Sequence, residues 1–376
     1  MESTDSLEEE LFFDGSLYYE GLIKDISLAS RTIDFETYIF EADKVGYQVA
    51  DALREAAGRG VQVRLLIDGF GSPFFPGNLL NQLENAGAQV RIFHPWPWNF
   101  WQWRWAASEG VFISKLKHLL NEVNRRNHRK VCCIDKKIAW IGSYNVSKAH
   151  LPVAQGGYGW RDSAVRLKGT DLSELETAFD RAWCQERFSR IKHLSTHNPV
   201  IRLNYSRKRR RILYKNLLKR MSLCTNRIWI TNAYFLPDAP FLNRLKQAAM
   251  MGVDVKILLP GKSDVAVIPW TSALFYSELI SAGVRIFEYT PSVLHAKTLI
   301  FDDWMTVGST NLNNRSFLHD LEVDVLISTT KSRTRITQQF LDDISKSIEI
   351  NIENIRKRPL WQRAIGRLIL YVKYFF

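Results

Sequence analysis

Apolar positions along this chain fall into two kinds of run that alternate. Residues 56–69 read AAGRGVQVRLLIDG, a helix end with a glycine stop followed by an apolar stretch of β character. Residues 248–261, AAMMGVDVKILLPG, repeat that design. LENAGAQVRIFHP (83–95) is matched by LISAGVRIFEYTP (279–291) with one gap, and HRKVCCIDKKIAWIGSYN (128–145) by HAKTLIFDDWMTVGSTN (295–311). A last β-type run closes each set, DSAVRL (162–167) or EVDVLI (322–327). Each half therefore predicts strand, helix, strand, helix, strand, hairpin, strand. Such alternation predicts an α/β layered domain, and two copies predict a pseudo-twofold pair. The boundary is expected in the polar and basic stretch STHNPVIRLNYSRKRRR (195–211), giving repeats over 1–200 and 201–376.

The copies differ in length at one place. Phe93 and His128 are 35 positions apart, whereas Phe287 and His295 are 8 apart, so the first half carries about 27 extra residues. This insertion, about 94–125, opens with HPWPWNFWQWRW and holds Trp96, Trp98, Trp101, Trp103 and Trp105. Its prolines oppose a regular helix at the start. An aromatic patch of this kind suits a membrane interface ahead of extra core packing or base stacking, so these tryptophans, with Trp361, are expected to contact the membrane at the lip of the active site.

The chemistry lies in the matched hairpins. His128 and Lys130 are two apart, as are His295 and Lys297, so on a strand each pair shares a face. Asp135 and Asp302 fall at the expected turns, and the return strands end in Gly142-Ser143-Tyr144-Asn145 and Gly308-Ser309-Thr310-Asn311. A first turn centred on Lys136 and Lys137 would set His128 opposite Asn145 and Lys130 opposite Ser143. A second turn centred on Asp303 would set His295 opposite Asn311 and Lys297 opposite Ser309. Either register gathers imidazole, ammonium, hydroxyl and amide on one face. Such groups suit phosphodiester chemistry without a metal or cofactor. One histidine can attack phosphorus while the other moves the proton, and lysines and asparagines can hold the phosphoryl oxygens.

Composition narrows the partner. Net charge is +12, which favours an anionic partner, either nucleic acid or an anionic lipid surface. The four cysteines match neither a metal pattern nor a disulfide framework. The acidic N-terminal stretch lacks the pattern of a secretory signal, and no run of eighteen apolar residues predicts a transmembrane helix. The C-terminal RKRPLWQRAIGRLILYVKYFF predicts an amphipathic helix over about 359–376 with Trp361 on its apolar face and basic flanks.

HxKxxxxD followed by GSxN, present twice, resembles the signature of the phospholipase D superfamily. ETYIFEADKVG (36–46), LLIDGFGSP (65–73) and RPLWQRAIGRL (358–368) look like the bacterial cardiolipin synthase branch, in its shorter form without N-terminal transmembrane helices. The resemblance implies two α/β/α domains of the phospholipase D type with one active site at their interface. It implies His128 as nucleophile and His295 as general acid/base, with Lys130, Lys297, Ser143, Asn145, Ser309 and Asn311 around the phosphate. Asp162 and Glu322, equivalent in the two repeats, would orient the histidines, while Asp135 and Asp302 would complete the motifs from the turns. The implied reaction transfers a phosphatidyl group between two phosphatidylglycerol molecules. Hydrolysis to phosphatidic acid, or phosphodiester cleavage in nucleic acid, are the alternatives within the superfamily. The implied partner is anionic phospholipid at a membrane surface, not nucleic acid, with the protein peripheral on the cytoplasmic face of the inner membrane.

Overall fold

The computed structural model describes residues 7–96, 102, 104, 106, 125–184 and 200–371. Among the described residues fifteen strands build two sheets. The first sheet holds β1 (Glu8–Phe12), β2 (Thr32–Thr37), β3 (Gln62–Asp68), β4 (Gln89–Phe93), β5 (Val131–Ile134), β6 (Ile138–Gly142) and β7 (Ala164–Lys168). The second holds β8 (Ile201–Leu203), β9 (Arg227–Thr231), β10 (Asp254–Pro260), β11 (Arg285–Tyr289), β12 (Thr298–Phe301), β13 (Trp304–Gly308), β14 (Val323–Ile327) and β15 (Ser347–Ile350). Their orders are β1-β7-β6-β5-β2-β3-β4 and, read from the opposite edge, β8-β14-β13-β12-β9-β10-β11-β15. The two topologies are the same, with one strand added to the second.

Local sequence explains the repeated unit. β2, β3 and β4 run parallel, so helices must carry the chain between them. The helix Lys44–Gly58 starts where the Asp43 carboxylate accepts from the backbone N–H of Val45 and Gly46, at 2.9 and 3.0 Å. It buries Val45, Val49, Leu53 and Ala56 on one stripe. Asp238 caps the equivalent helix, Ala239–Met250. Gly60 and Gly252, with φ of 89° and 87°, turn the chain left-handed after each helix, a conformation that glycine adopts without a Cβ clash.

Helices cover the outer face of each sheet. On the inner faces the two sheets meet: Val131, Ile141, Val165 and Leu167 share one buried cluster with Ile300, Val307, Val323 and Val325. The halves are therefore joined by common core rather than merely tethered. β1 and β8 were not foreseen. Each pairs with the outer edge of β7 or β14 and closes that end of its sheet. With EEELF, β1 has no clean alternation, because at an edge its glutamates reach solvent while Leu11 and Phe12 turn inward.

The hairpin register corrects the expectation by one residue in both halves. Val131 pairs with Ile141 and Ile134 with Ile138, so Lys130 faces Gly142 rather than Ser143. Thr298 pairs with Val307 and Phe301 with Trp304, so Lys297 faces Gly308 rather than Ser309. The cause is the motif aspartate, which is itself the first loop residue in the left-handed region, φ 52° at Asp135 and 50° at Asp302. There the Asp135 carboxylate accepts from the backbone N–H of Ser30, Arg31 and Thr32 at 2.9, 2.7 and 2.9 Å. Asp302 accepts from Thr225, Asn226 and Arg227 at 3.0, 3.0 and 2.8 Å. Each aspartate thus pins the far end of its hairpin to the start of β2 or β9. Glycine is required opposite the lysines: a Cβ on Gly142 or Gly308 would lie 2.5 Å from the Ser163 carbonyl oxygen or 2.4 Å from that of Val323.

Burial works against ionisation at Asp135 and Asp302, but the backbone donors outweigh it and hold both carboxyls below their ordinary value. Their stabilisation is therefore complete above the unfolded aspartate value and is lost as pH falls through the folded one. Asp302→Ala leaves three N–H groups unpaired and places alanine at positive φ, so it should cost about 1–3 kcal/mol. Urea denaturation at pH 7 should show that loss, and the gap from wild type should narrow at acid pH.

Candidate active site

The histidine motifs meet across the two halves. The His128 N–H donates to the Leu321 carbonyl at 3.0 Å and the Leu321 N–H to that of Arg126 at 2.8 Å. Reciprocally, the His295 N–H donates to the Arg161 carbonyl at 2.8 Å and the Arg161 N–H to that of Val293 at 2.9 Å. These short parallel bridges lay each histidine segment beside the other half's closing strand.

As a result the carboxylates are exchanged. His128 Nδ1 lies 3.0 Å from Glu322 Oε2, and His295 Nδ1 lies 2.8 Å from Asp162 Oδ1. A carboxylate at Nδ1 holds the Nδ1–H tautomer and leaves Nε2 as the reactive nitrogen. Both histidines, both lysines and both carboxylates are buried. The Lys130 ammonium donates to the His128 carbonyl at 2.8 Å, and Lys297 donates to that of His295.

Charge is crowded here. Burial, and then the neighbouring Lys297, push the Lys130 ammonium down to about 7. Burial brings Lys297 to about 8 against the pull of Asp162 and Asp264. Two buried ammonium groups that repel each other form a place where an anion would be stabilised. Asn145 spends its Oδ1 on the Ile39 N–H at 3.2 Å. Asn311 is buried and its Oδ1 has no hydrogen-bond partner among the described residues.

The two carboxylates have unlike surroundings. Glu322 accepts from the hydroxyls of Ser309 and Ser316 at 2.5 and 2.6 Å, and burial lifts it to about 7 despite Lys130 and those donors. Burial also acts to raise Asp162, but His295 and His150 overcome it and hold this carboxyl well below its ordinary value. His150 Nδ1 lies 2.8 Å from Asp162 Oδ2, and its Nε2 accepts from the Asn145 N–H at 3.3 Å. Asp162 is thus set between two imidazoles. Burial, Lys130 and Lys297 drive His128 well below the ordinary histidine value. His295 is also lowered by burial and Lys297, but Asp162 resists the shift.

Ser143 and Ser309 do not line the site with the lysines. The one-residue slip sets Gly142 and Gly308, not the serines, opposite the lysines. Ser143 Oγ bonds the Ser163 backbone on both sides, at 3.1 and 3.0 Å, and Ser309 Oγ supports Glu322. Asp135 and Asp302 sit at the distant turns and touch no reacting group. Sequence reasoning missed His150, Ser316, Tyr38 and Tyr234. His150 and Ser316 each stand five residues after a motif asparagine, so comparing the repeats beyond GSxN would have singled them out. Tyr38 lies edge-on to His128 at 5.0 Å between ring centres, and Tyr234 donates to Asp264 at 2.5 Å beside His295.

Trp98, Trp101, Trp103 and Trp105 lie outside the described residues. Trp96 is half-buried and stacks on Phe70 at 4.7 Å, with the Arg126 guanidinium 4.9 Å from the Phe70 ring. The C-terminal helix is described over Leu360–Tyr371. It docks on the helix Val267–Ser272 through Gly366, where a Cβ would lie 2.8 Å from the Trp270 carbonyl oxygen. Trp361 meets the Trp270 ring edge-on at 5.0 Å but remains 54% exposed, alongside Leu360 at 77% and Leu368 at 66%. Among the described residues no helix is long and apolar enough to cross a membrane.

Comparison with known proteins gives the geometry a context. A family model described as "Cardiolipin synthase, PLD-like domain" matches residues 22–183 and 217–344. A cardiolipin synthase of Clostridium perfringens (strain SM101) is 30% identical over 96% of this chain and 75% of its own length. The major cardiolipin synthase ClsA of Bacillus subtilis is 30% identical over 97% and 75%. Among solved structures, a phosphatidylserine synthase of Haemophilus influenzae superposes with a TM-score of 0.71 at 12% identity, covering 98% of this chain and 95% of that one. A polyphosphate kinase of Porphyromonas gingivalis reaches 0.61 at 12% identity, over 97% and 56%. At such identity these two share the fold.

Asp162→Asn and Glu322→Gln each leave a histidine of the opposite half without its carboxylate. Each should lower kcat by about 10²- to 10⁴-fold, the usual contribution of acid–base catalysis, with an unchanged far-ultraviolet spectrum. A variant losing less than tenfold would mean that its carboxylate only fills space.

Proposed function

Because the chain belongs to the cardiolipin synthase family with phospholipase D-like domains, we propose that it transfers a phosphatidyl group from one phosphatidylglycerol to the glycerol hydroxyl of another. Cardiolipin forms and glycerol leaves. The observation that carries this reading is the carboxylate exchange, which brings both histidine–lysine pairs into one buried, cationic site.

The unlike environments support His128 as the nucleophile. Its imidazole is the more strongly driven to the neutral form, so its Nε2 lone pair is available. His128 Nε2 attacks phosphorus, and the bond to the departing glycerol oxygen breaks as His295 Nε2 donates a proton to it. The acceptor hydroxyl then gives its proton to His295 and attacks the phospho-histidine, which frees His128. Ionised Asp162 supports the imidazolium form of His295 that the first step consumes and the second restores. Lys130, Lys297, Asn145 and Asn311 hold the phosphoryl oxygens. Burial of the site restricts water, which would otherwise divert the phospho-enzyme to phosphatidic acid.

The protein works peripherally on an anionic phospholipid surface, on the cytoplasmic face of the membrane, and needs no nucleic acid. Support comes from the +12 net charge and from Leu360, Trp361 and Leu368, exposed together on a helix carrying Arg363 and Arg367.

Purified protein incubated with phosphatidylglycerol vesicles and EDTA should yield cardiolipin and glycerol in equal amounts. Phosphatidic acid alone would assign it to hydrolysis instead. The pH profile follows from the lysines: kcat/KM should fall as pH rises through about 7 to 8, where Lys130 and Lys297 lose the charge that binds the phosphate. Changing Leu360, Trp361 and Leu368 together to Ser should reduce sedimentation with these vesicles by tenfold or more and leave the melting temperature near wild type. Undiminished sedimentation would remove this helix from the membrane contact.

A further inference from the structure

The halves diverge in an unexpected place, on the outer faces of their sheets. In the first half Phe12, Tyr18, Trp140 and Tyr144 pack ring on ring, with centres 4.8 Å apart for Phe12 and Trp140 and 4.2 Å for Tyr18 and Tyr144. The Trp140 indole N–H is satisfied by Asp25 at 2.8 Å. Strand register shows what stands there in the second half. Leu11 faces Val165 and Ile201 faces Val325, so Arg202 takes the place of Phe12. Ile138 and Trp304 are the first residues after the two turns, so Thr306 takes the place of Trp140. Thr310 and Asp324 likewise replace Tyr144 and Ala164.

Three large apolar groups have thus become one cation and two small hydroxyls, and the space stays open. The cavity lies between the helix Arg207–Met221 and β12 and β13, and Lys297 and Thr310 share its wall with the catalytic site. It holds about 650 Å³ of empty space with its mouth included, but the centre of a water-sized sphere can occupy only about 60 Å³ of it. At roughly 10–15 Å³ per water on that measure, it takes a few waters or one small anionic group, not an acyl chain.

Its polar groups point to the charge of the occupant. The Arg202 guanidinium makes no hydrogen bond to a described residue, although Asp324 attracts it; it lies 5.1 Å from the Trp304 ring centre, with that of Arg220 at 4.9 Å from the same ring. The Trp304 Nε1 is buried and has no hydrogen-bond partner among the described residues. From the helix start Arg210 lines the wall and Arg209 adds its charge beside Arg202. Against these cations stands one lining carboxylate, Asp324, which already accepts from the Thr310 hydroxyl at 2.8 Å. A buried N–H donor without a partner is costly, and a guanidinium is suited to phosphate oxygens.

We propose that this cavity is a second, non-catalytic anion site, which takes a phosphate group on Arg202 and the Trp304 indole N–H. The phosphate comes from a soluble ester or from a lipid head group. Through Asp324 and Thr310 the occupant touches the residue next to Asn311, so occupancy adjusts the reaction proposed above, although binding itself does not depend on that reaction.

Equilibrium dialysis of the full chain against labelled inorganic phosphate tests binding without any turnover. Arg202→Phe and Thr306→Trp restore the residues of the first half, and Arg202→Gln keeps the site polar in case either fills it badly. Each should weaken by tenfold or more a phosphate equivalent that Lys130→Ala leaves bound. Competition by glycerol phosphate identifies a soluble ester as the source, and competition by phosphatidylglycerol vesicles alone identifies a head group. If Lys130→Ala removes all bound phosphate while the Arg202 variants remove none, the proposal is wrong.

Discussion

Everything at this site depends on each half lending its carboxylate to the other half's histidine. His128 is oriented by Glu322 and His295 by Asp162, so neither repeat contains a complete catalytic pair. The exchange is enforced by backbone before any side chain acts: two parallel bridges fix the histidine segments against the opposite closing strands. A carboxylate 3 Å from an imidazole nitrogen is useful only if that distance is held. Two sheets sharing one apolar core supply the rigidity, since close-packed interiors do not deform smoothly. The common core and the common site are therefore one constraint: separating the halves would expose the first and dismantle the second.

Pseudo-symmetry would make the two histidines chemically alike, and equivalent groups make a poor acid and nucleophile pair. The structure breaks the symmetry one layer out. Where the second half has Ser316 on its carboxylate, the first half has His150. With Ser316 on it, Glu322 is still lifted by burial, whereas Asp162, set between two imidazoles, is held well below its ordinary value. This is how two nearly identical hairpins come to support different protonation states, and it leaves the motifs themselves unaltered.

Much of this was legible in the sequence, because the repeat doubled every signal. The elements of each half could be read from matched runs, whereas the meeting of the two motifs and the role of Asp162 and Glu322 beside the histidines were implied by the resemblance to the phospholipase D superfamily. Three things could not. β1 shows no clean alternation, and β8 alternates over only three residues, too short a run to stand out. The hairpin register depended on whether the motif aspartate precedes the turn or begins it, which is a matter of φ rather than of composition. That single residue also set Gly142 and Gly308, not Ser143 and Ser309, opposite the lysines. Finally, the direction of the carboxylate exchange is a three-dimensional fact: equivalent positions in the repeats suggested a partner for each histidine, not that the partner would come from the other half.

Where the halves are free to differ is as informative as where they match. The exchanged residues, the turn aspartates and the glycines opposite the lysines are pinned by distances of about 3 Å or by backbone contact. The outer faces are not, and there the first half has become a dense aromatic cluster while the second has become hollow and basic. Dense packing is the stable solution for such a face. A half-buried guanidinium, a buried indole N–H without a partner among the described residues, and empty space all oppose folding. A chain that already possesses the packed alternative in its own other half, yet keeps the costly one beside Lys297, is best understood as keeping it for what it binds.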